Sequence, residues 1–237
     1  MSTPNPTHTH GWTAVPRSHS LFLKDVSPSN TKPLHVSDLP LPSTPLAHRI
    51  RTYAHSHLPP ATYNHSMRVF LYGQALARQH FPHFLAFTET FYLTCLLHDI
   101  GTTAANMQES QMSFEFRGAW VAMEVLAAEG AERSMWESVA EAVVRHQDLG
   151  DVGTITGMGL LVQLATVFDN IGANPTLIHP STIESVVHAF PRHGWSGCFA
   201  ATVRDEIWKK PWCHTTAIEH FAEMVENNEL MAPYEEP

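Results

Sequence analysis

Positive charge is scarce in this sequence. There are 14 lysine and arginine residues against 23 aspartates and glutamates, so the formal net charge is −9. Nucleic acids and anionic membranes are bound through basic surfaces, and the composition argues against both as partners.

Long apolar runs are missing too. None approaches the roughly 20 residues that span a bilayer, and the first residues lack the basic segment followed by an apolar segment that is typical of a signal peptide. We therefore expect a cytoplasmic protein without membrane spans.

Cysteine is also rare. The three cysteines, Cys95, Cys198 and Cys213, are widely spaced and form no Cys-x-x-Cys pair. An odd number without such pairs argues against a disulfide framework, a zinc ribbon or a redox motif. We expect reduced and mostly buried thiols.

Signals for β-structure are absent: there is no sustained alternation of apolar and polar residues and no Asn-Gly or Asp-Gly hairpin dipeptide. Residues 1–42 are rich in Pro, Ser, Thr and His without apolar periodicity, which predicts an irregular N-terminal arm, partly draped over the rest. From residue 43 to 237 the segments repeat one plan of a capping residue, an apolar stripe and a Gly or Pro stop. We predict an all-α protein with a single helical domain over 43–237.

Hydrophobic periodicity predicts helices over residues 43–57, 62–80, 85–99, 113–130, 156–172 and 195–210. Three patterns of the Ser/Thr-x-x-Glu type predict the starts of further helices. They are Ser134 with Glu137, Ser181 with Glu184, and Thr216 with Glu219.

His98 and Asp99 stand together at the C-terminal end of the predicted third helix, after an apolar stretch. Two polar side chains at the edge of a core need partners. Adjacent helical residues point about 100° apart, so they can share one ion only beside a helix end, which is where these two lie. The alternative interpretation is a His-Asp pair that caps the helix.

Asp169 interrupts the apolar helix 156–172 just before its last turn, where its charge also opposes the helix dipole. An unpaired carboxylate would be costly there, unless it faces a solvent channel. His65 precedes apolar residues at helical spacing, and a lone histidine of that kind is more often hydrogen-bonded core than ligand. The four together make a mixed nitrogen and oxygen set that suits zinc, iron or manganese.

The sequence segments around these residues identify a protein family more specifically than the order His…His-Asp…Asp does alone. They are NHSMRVF (64–70), CLLHDIGTT (95–103), MSFEFRGA (112–119), VVRHQDLG (143–150), LLVQLATVFDNIGAN (160–174), FPRHGWSGCF (190–199) and KPWCHT (210–215). This set closely resembles fungal cyanamide hydratases, which are members of the HD superfamily of helical metalloproteins. The resemblance covers roughly the last three-quarters of the chain and leaves the arm unexplained.

The resemblance implies a zinc-dependent hydro-lyase that adds water to the nitrile of cyanamide to give urea. It carries the metal role onto His65, His98, Asp99 and Asp169, and it implies that Thr102, with its neighbours, shapes the rim of the pocket. Binuclear HD proteins offer additional histidines, whereas here Phe114 or Glu115 stands at the first such place and His146 remains near the second. We therefore expect one zinc ion per chain, although the ligand set by itself also permits Fe²⁺ or Mn²⁺.

Cyanamide is a small neutral nitrile that plain water attacks slowly. We expect a metal-bound hydroxide as the nucleophile, because a metal lowers the pKa of bound water from about 15.7 towards 7. The nitrile nitrogen must then gain a proton, and the candidates for this shuttle are Glu115, His146 and Asp148. Each candidate also has a structural interpretation. Glu115 could be a first-turn glutamate that the helix dipole favours, and His146 and Asp148 could be residues of a helix end that is packed by hydrogen bonds. Asn64, Thr102 and Gln147 are candidates for binding the substrate, although an Asn at a helix start is usually a cap.

Other interpretations remain open. An HD-type nucleotide phosphohydrolase would need cations to clamp phosphate, and between His65 and Asp169 there are five arginines but no lysine. This favours a neutral substrate. A degenerate HD scaffold that binds metal or a partner without turnover is the third possibility. Six tryptophans and apolar C-terminal helices also suggest a homo-oligomer.

Overall fold

The computed structural model describes residues 9–27 and 31–235, and within them the architecture is helical. Its helices are α1 His19–Leu23, α2 Pro45–His57, α3 Pro60–His80, α4 Thr88–Leu97, α5 Ala104–Glu109, α6 Phe114–Ala128, α7 Arg133–Arg145, α8 Gly157–Ile171, α9 Pro180–Ala189, α10 Trp195–Lys209 and α11 Phe221–Glu226. Short 3-10 turns occur at Val36–Asp38, Pro82–Phe87, Ile100–Thr102, Pro175–Leu177, His214–Ala217 and Ala232–Tyr234. Two short strands, β1 Ala14–Pro16 and β2 Thr154–Thr156, complete the structure. The all-α prediction is confirmed.

The central helices α3 and α8 pack against each other and are buried on nearly all sides. A helix that is apolar all round belongs inside a protein. The helix α8 follows its sequence signals closely: the Thr156 side chain accepts a hydrogen bond from the Gly159 amide, and Gly172 ends the helix with φ of 67°. Burial on all sides places any polar residue of these helices inside the protein, where it needs a partner.

None of the three predicted residues caps a helix, although helices do begin beside two of them, at Arg133 and at Pro180. Helix α7 begins before Ser134, whose hydroxyl instead lies 3.2 Å from the indole nitrogen of Trp12. Helix α9 starts at Pro180, whose fixed φ suits a first helical position, and the side chain of His179 caps it. Thr216 lies in a 3-10 turn. Proline geometry and long-range partners override the short sequence pattern at these sites.

The N-terminal arm is more ordered than its sequence predicts. Strand β1 pairs antiparallel with β2, with Ala14 opposite Thr156 and Pro16 opposite Thr154, and α1 follows. His10 is buried, and its ring contacts Thr90 and Glu132. The described part of the arm is otherwise irregular, apart from the turn at Val36–Asp38, and distant segments rather than local periodicity order β1 and α1. The boundary between residues 42 and 43 stays a prediction.

No helix within residues 9–27 and 31–235 is both long enough and apolar enough to cross a membrane. The three cysteines are free thiols, and two of them, Cys95 and Cys213, are buried while Cys198 is exposed. This agrees with the expectation of unpaired and mostly buried cysteines.

Candidate metal centre

The predicted ligands come from three helices that meet in the core. His65 lies in the second turn of α3, His98 and Asp99 follow the last residue of α4, and Asp169 lies in the last turn of α8. Each of the four side chains is at most 1% exposed. Burial of this many polar groups requires mutual pairing or a bound ion.

Three of the four converge on one point. The distance between the Nε2 atoms of His65 and His98 is 3.2 Å, and Oδ2 of Asp99 lies 3.6 Å from the first and 3.3 Å from the second. A tetrahedral ion with bonds of about 2.0–2.1 Å separates its ligand atoms by about 3.3 Å. The His65–His98–Asp99 cluster could therefore hold a metal ion.

Hydrogen bonds on the far side of each imidazole prepare the cluster for a cation. Nδ1 of His98 donates to the Cys95 carbonyl at 2.8 Å, and Nδ1 of His65 donates to Asp169 at 2.6 Å. Such bonds leave Nε2 as the metal-binding atom. Burial lowers the pKa of His65 to about 4, which keeps its ring neutral.

Asp99 provides the clearest sign that a cation fits. Both of its carboxylate oxygens are buried without a hydrogen-bond partner among the described residues. Burial by itself raises the pKa of this carboxyl, but the neighbouring His98 outweighs it and holds the pKa below its usual range. A buried and unpaired carboxylate is costly, and a metal ion beside Oδ2 would remove that cost.

Asp169 lies on the other side of His65, between two buried arginines. Arg68 donates to both of its oxygens, at 3.0 Å from Nε and 2.9 Å from Nη2, and Arg192 donates to Oδ1 at 2.7 Å. Burial raises the pKa of Asp169, but these two guanidinium groups hold it well below its usual value. The structure thus groups Asp169 with His65 and two arginines, and its role as a metal ligand stays a prediction.

His146 faces the cluster from the end of α7. Its Nδ1 donates to the Val143 carbonyl at 2.7 Å, while Nε2 lies 3.7 Å from Oδ1 of Asp99 and has no hydrogen-bond partner in the described chain. Burial, followed by the charge of His98, lowers the pKa of His146 to about 4. His146 is therefore a neutral ring with an acceptor nitrogen aimed towards the metal cluster.

Known proteins resemble this chain over the residues that form the cluster. The HD domain matches residues 62–174, a range that contains all four predicted ligands. The cyanamide hydratases DDI2 and DDI3 of Saccharomyces cerevisiae are each 40% identical to this chain over 210 residues, which cover 88% of this chain and 92% of the relative. The chain belongs to this hydratase family. The resemblance drawn from the sequence segments is confirmed.

Two further polar side chains of this hydratase-family chain are buried without partners. Glu115, in the first turn of α6, is 0% exposed, and Gln147 is 4% exposed. Neither carboxylate oxygen of Glu115, and neither amide atom of Gln147, has a hydrogen-bond partner within residues 9–27 and 31–235. Both were candidates from the sequence, and their unpaired state is what a site for a small polar molecule requires.

The other candidates are occupied by contacts within the protein. Asp148 is a quarter exposed and accepts hydrogen bonds from Arg17 at 2.6 Å and Arg145 at 3.0 Å. Asn64 donates its amide to the Pro191 carbonyl at 2.9 Å. The Thr102 hydroxyl donates to the Asp99 carbonyl at 2.7 Å. Roles for these three in catalysis or substrate binding stay predictions.

Gly101 allows the turn that follows Asp99 to pack directly on helix α6. A Cβ atom at this position would lie 2.0 Å from the Phe114 carbonyl oxygen and 2.9 Å from the Gly118 amide nitrogen. We expect Gly101→Ala to lower the free energy of unfolding by about 1–3 kcal/mol, because overpacking against backbone forces the two elements apart. Denaturant unfolding measures this change.

Gly197→Ala is the matched control for that substitution. Gly197 lies within α10, and a Cβ there would meet nothing within 4 Å. We expect it to be neutral or to stabilise by up to about 1 kcal/mol, through the lower entropy of the unfolded chain. Equal losses in both variants would contradict the close approach at Gly101.

Proposed function

We propose that this chain is a cyanamide hydratase, which adds water to the nitrile of cyanamide and yields urea. One zinc ion would be held by His65, His98 and Asp99. The sequence predicts Asp169 as a fourth ligand, but its hydrogen bond to Nδ1 of His65, on the far side of that ring, supports a role in orienting His65. The observation that carries the proposal is the buried cluster with its unpaired Asp99 carboxylate, in a chain 40% identical to two yeast cyanamide hydratases. The donor set is also compatible with iron or manganese, so metal analysis is part of the test.

When bound, the ion would activate water as a nucleophile near neutral pH. The protein's own part begins with the rigidity of the cluster. His65 stacks on Trp195 with ring centroids 4.2 Å apart, and its Nδ1 is fixed by Asp169. Ligands held in this way need no rearrangement during the reaction, which favours catalysis.

His146 is placed to accept the proton of the attacking water. Its Nδ1 hydrogen is committed to the Val143 carbonyl, so Nε2, 3.7 Å from Asp99, can only accept. We assign it the role of general base, in agreement with a low pKa that keeps the ring unprotonated at neutral pH.

Glu115 is the group that we assign to protonation of the nitrile nitrogen. It is buried and has no hydrogen-bond partner in the described part of the chain, unlike Asp148, which two arginines neutralise. Transfer of its proton to nitrogen, together with loss of a proton from water to His146, gives isourea. Isourea then tautomerises to urea, and the proton count is balanced.

The amide of Gln147 supports binding of the amine end of cyanamide. An amide carbonyl accepts from an amine and its NH₂ donates, and both of these atoms are buried and unpartnered within residues 9–27 and 31–235. A small molecule with donors and acceptors, such as cyanamide, would satisfy them.

The arginines support a neutral substrate. Arg68 and Arg192 are buried and bind Asp169, Arg145 binds Asp148, and Arg117 donates to Asn106. Cations engaged in this way are poorly placed to clamp a phosphate. This arrangement favours a nitrile over a nucleotide.

Purified zinc-loaded protein should convert cyanamide to urea and release no phosphate from a panel of nucleoside monophosphates. A chelator should abolish urea formation, because the ion supplies the activated water, and added zinc should restore it. Urea is measured by a coupled assay, phosphate by a colorimetric one and bound metal by mass spectrometry. Phosphate without urea would assign the chain to the phosphohydrolases, and neither product would indicate a binding scaffold.

We also propose that the chain forms a homo-oligomer. Three tryptophans support this proposal by their exposure: Trp120 at 51%, Trp208 at 80% and Trp212 at 60%. Exposed aromatic residues are enriched in protein interfaces, and light scattering of the purified protein would give its mass in solution.

A further inference from the structure

His214 is a residue that the sequence analysis did not select, and it lies directly beside Glu115. Its Nδ1 is 3.4 Å from Oε1 of Glu115, slightly beyond the geometry of a good hydrogen bond, and neither atom has another partner in the described chain. Glu115 is completely buried, and an isolated buried carboxylate is costly. The His214 ring is therefore the natural partner of this group.

The other nitrogen of the same ring points towards the surface. Nε2 of His214 lies 4.0 Å from Oδ1 of Asp148, and the His214 side chain is 27% exposed. Each ring nitrogen thus has a carboxylate near it, one in the interior and one at the surface. A histidine between two such groups can take up a proton at one nitrogen and release one from the other.

The backbone holds the His214 ring at this boundary. The amide of His214 donates to the Ser113 hydroxyl at 2.9 Å, so the residue before α6 is tied to the turn that carries His214. The same turn of α6 contacts His146, since the ring centroids of Phe114 and His146 are 5.6 Å apart, and it packs on Gly101 in the turn after Asp99. His214 and Glu115 are consequently held in a fixed relation to each other, beside the metal cluster.

We propose that His214 is the proton relay of this site, which carries protons from solvent to Glu115. The proposal rests on the proposed function and adds a residue to it. In each turnover Nδ1–H of His214 protonates Oε1 of Glu115 after Glu115 has given its proton to the nitrile nitrogen. The donor is the doubly protonated ring, so loss of Nδ1–H leaves a neutral ring with its proton on Nε2. Uptake of one proton from solvent beside Asp148, with exchange between the two ring tautomers, restores the doubly protonated ring. The proton taken from water by His146 returns to solvent, so no net proton is consumed.

The charged groups around His214 agree with this role. Glu115 faces it from α6, Asp148 from the loop after α7, Arg17 from the arm and His146 from the end of α7. Glu115 is the main reason that the pKa of His214 is raised, which outweighs burial, and Asp148 adds to the effect while Arg17 opposes it. The ring therefore keeps a transferable proton closer to neutral pH.

The relay predicts a specific kinetic defect in His214→Gln. We expect the zinc-loaded variant to keep its metal and its KM for cyanamide, while kcat falls by about 10²–10⁴-fold, as for loss of a general acid. In the parent, activity should fall as pH rises and His214 loses its proton, and this alkaline limb should be absent from the variant.

Imidazole in the buffer should restore part of kcat in His214→Ala, because the position reaches solvent. His48→Ala, at an exposed position of α2, is the control that should retain parental activity.

A second measurement does not depend on turnover. The pKa of His214 is followed by NMR of ¹⁵N-labelled histidine in the zinc-loaded parent and in Glu115→Gln. We expect it to fall in the variant, because the Glu115 carboxyl is the main cause of the raised pKa of His214. An unchanged pKa of His214, or parental kcat in His214→Gln, would overturn the relay. If the parent forms no urea, the proposed function fails, while the NMR result still decides whether the Glu115–His214 pair exists.

Discussion

Replacing His65 with alanine should reduce cyanamide hydration to the uncatalysed background. Nε2 of this residue is 3.2 Å from His98 and 3.6 Å from Asp99, so its loss removes one of the donor atoms of the cluster. On the proposed function, the ion that would activate water should be lost as well. Metal content, measured by mass spectrometry, should fall from one ion per chain towards none.

The fold of this variant should survive, because α3 is held by its apolar contacts along most of its length, and circular dichroism should show nearly parental helicity. His65→Gln keeps more of the side-chain volume and serves as the second variant. His188→Ala, at an exposed position of α9, is the matched control and should keep metal and activity. Parental activity in His65→Ala would show that His65 is not a ligand.

Replacing Asp169 with alanine should lower the free energy of unfolding by about 3–5 kcal/mol, the cost of removing one partner from a buried ion pair. The substitution leaves two fully buried guanidinium groups, Arg68 and Arg192, without their shared carboxylate. Denaturant unfolding should be measured with a chelator present for both proteins, so that metal binding does not contribute to the difference.

Asp205→Ala is the control for this stability effect. Asp205 pairs with Lys209 at 2.6 Å on the exposed side of α10, and a surface pair of this kind contributes about 0.3–0.5 kcal/mol. A similarly small loss for Asp169→Ala would contradict a structural role for the buried cluster. Asp169→Asn distinguishes a metal ligand from a residue that orients His65. Loss of the bound ion would indicate a ligand. One ion per chain, bound with lower affinity, would indicate that Asp169 orients His65.

Local sequence signals predicted the helices well where apolar periodicity is strong. Helix α3 was expected over 62–80 and spans Pro60–His80, and α8 was expected over 156–172 and spans Gly157–Ile171. The capping-box patterns were less reliable than hydrophobic periodicity, and none of them identified the capping residue of a helix. Each predicted capping box depended on two side chains, and proline geometry or a distant partner decided the helix start instead.

The site was only partly predictable for a related reason. His98 and Asp99 are neighbours in the chain, so their joint position at a helix end follows from local structure alone. Arg192 is 23 residues from Asp169, and His214 is separated from Glu115 by most of the C-terminal half. No local pattern marks such pairs, and His214 is visible in the sequence only as part of the segment KPWCHT.

Local sequence patterns were enough to identify this protein as helical, to place it with the hydratases of the HD superfamily and to select four candidate metal ligands. These properties depend on local periodicity and on sequence segments of six to fifteen residues. The packing of the helices was needed to show that three of those residues meet at one point, that Asp169 is bound by two buried arginines and that His214 reaches Glu115. These contacts join distant segments, because a buried charge is stabilised by whichever partner the packing of the helices brings to it.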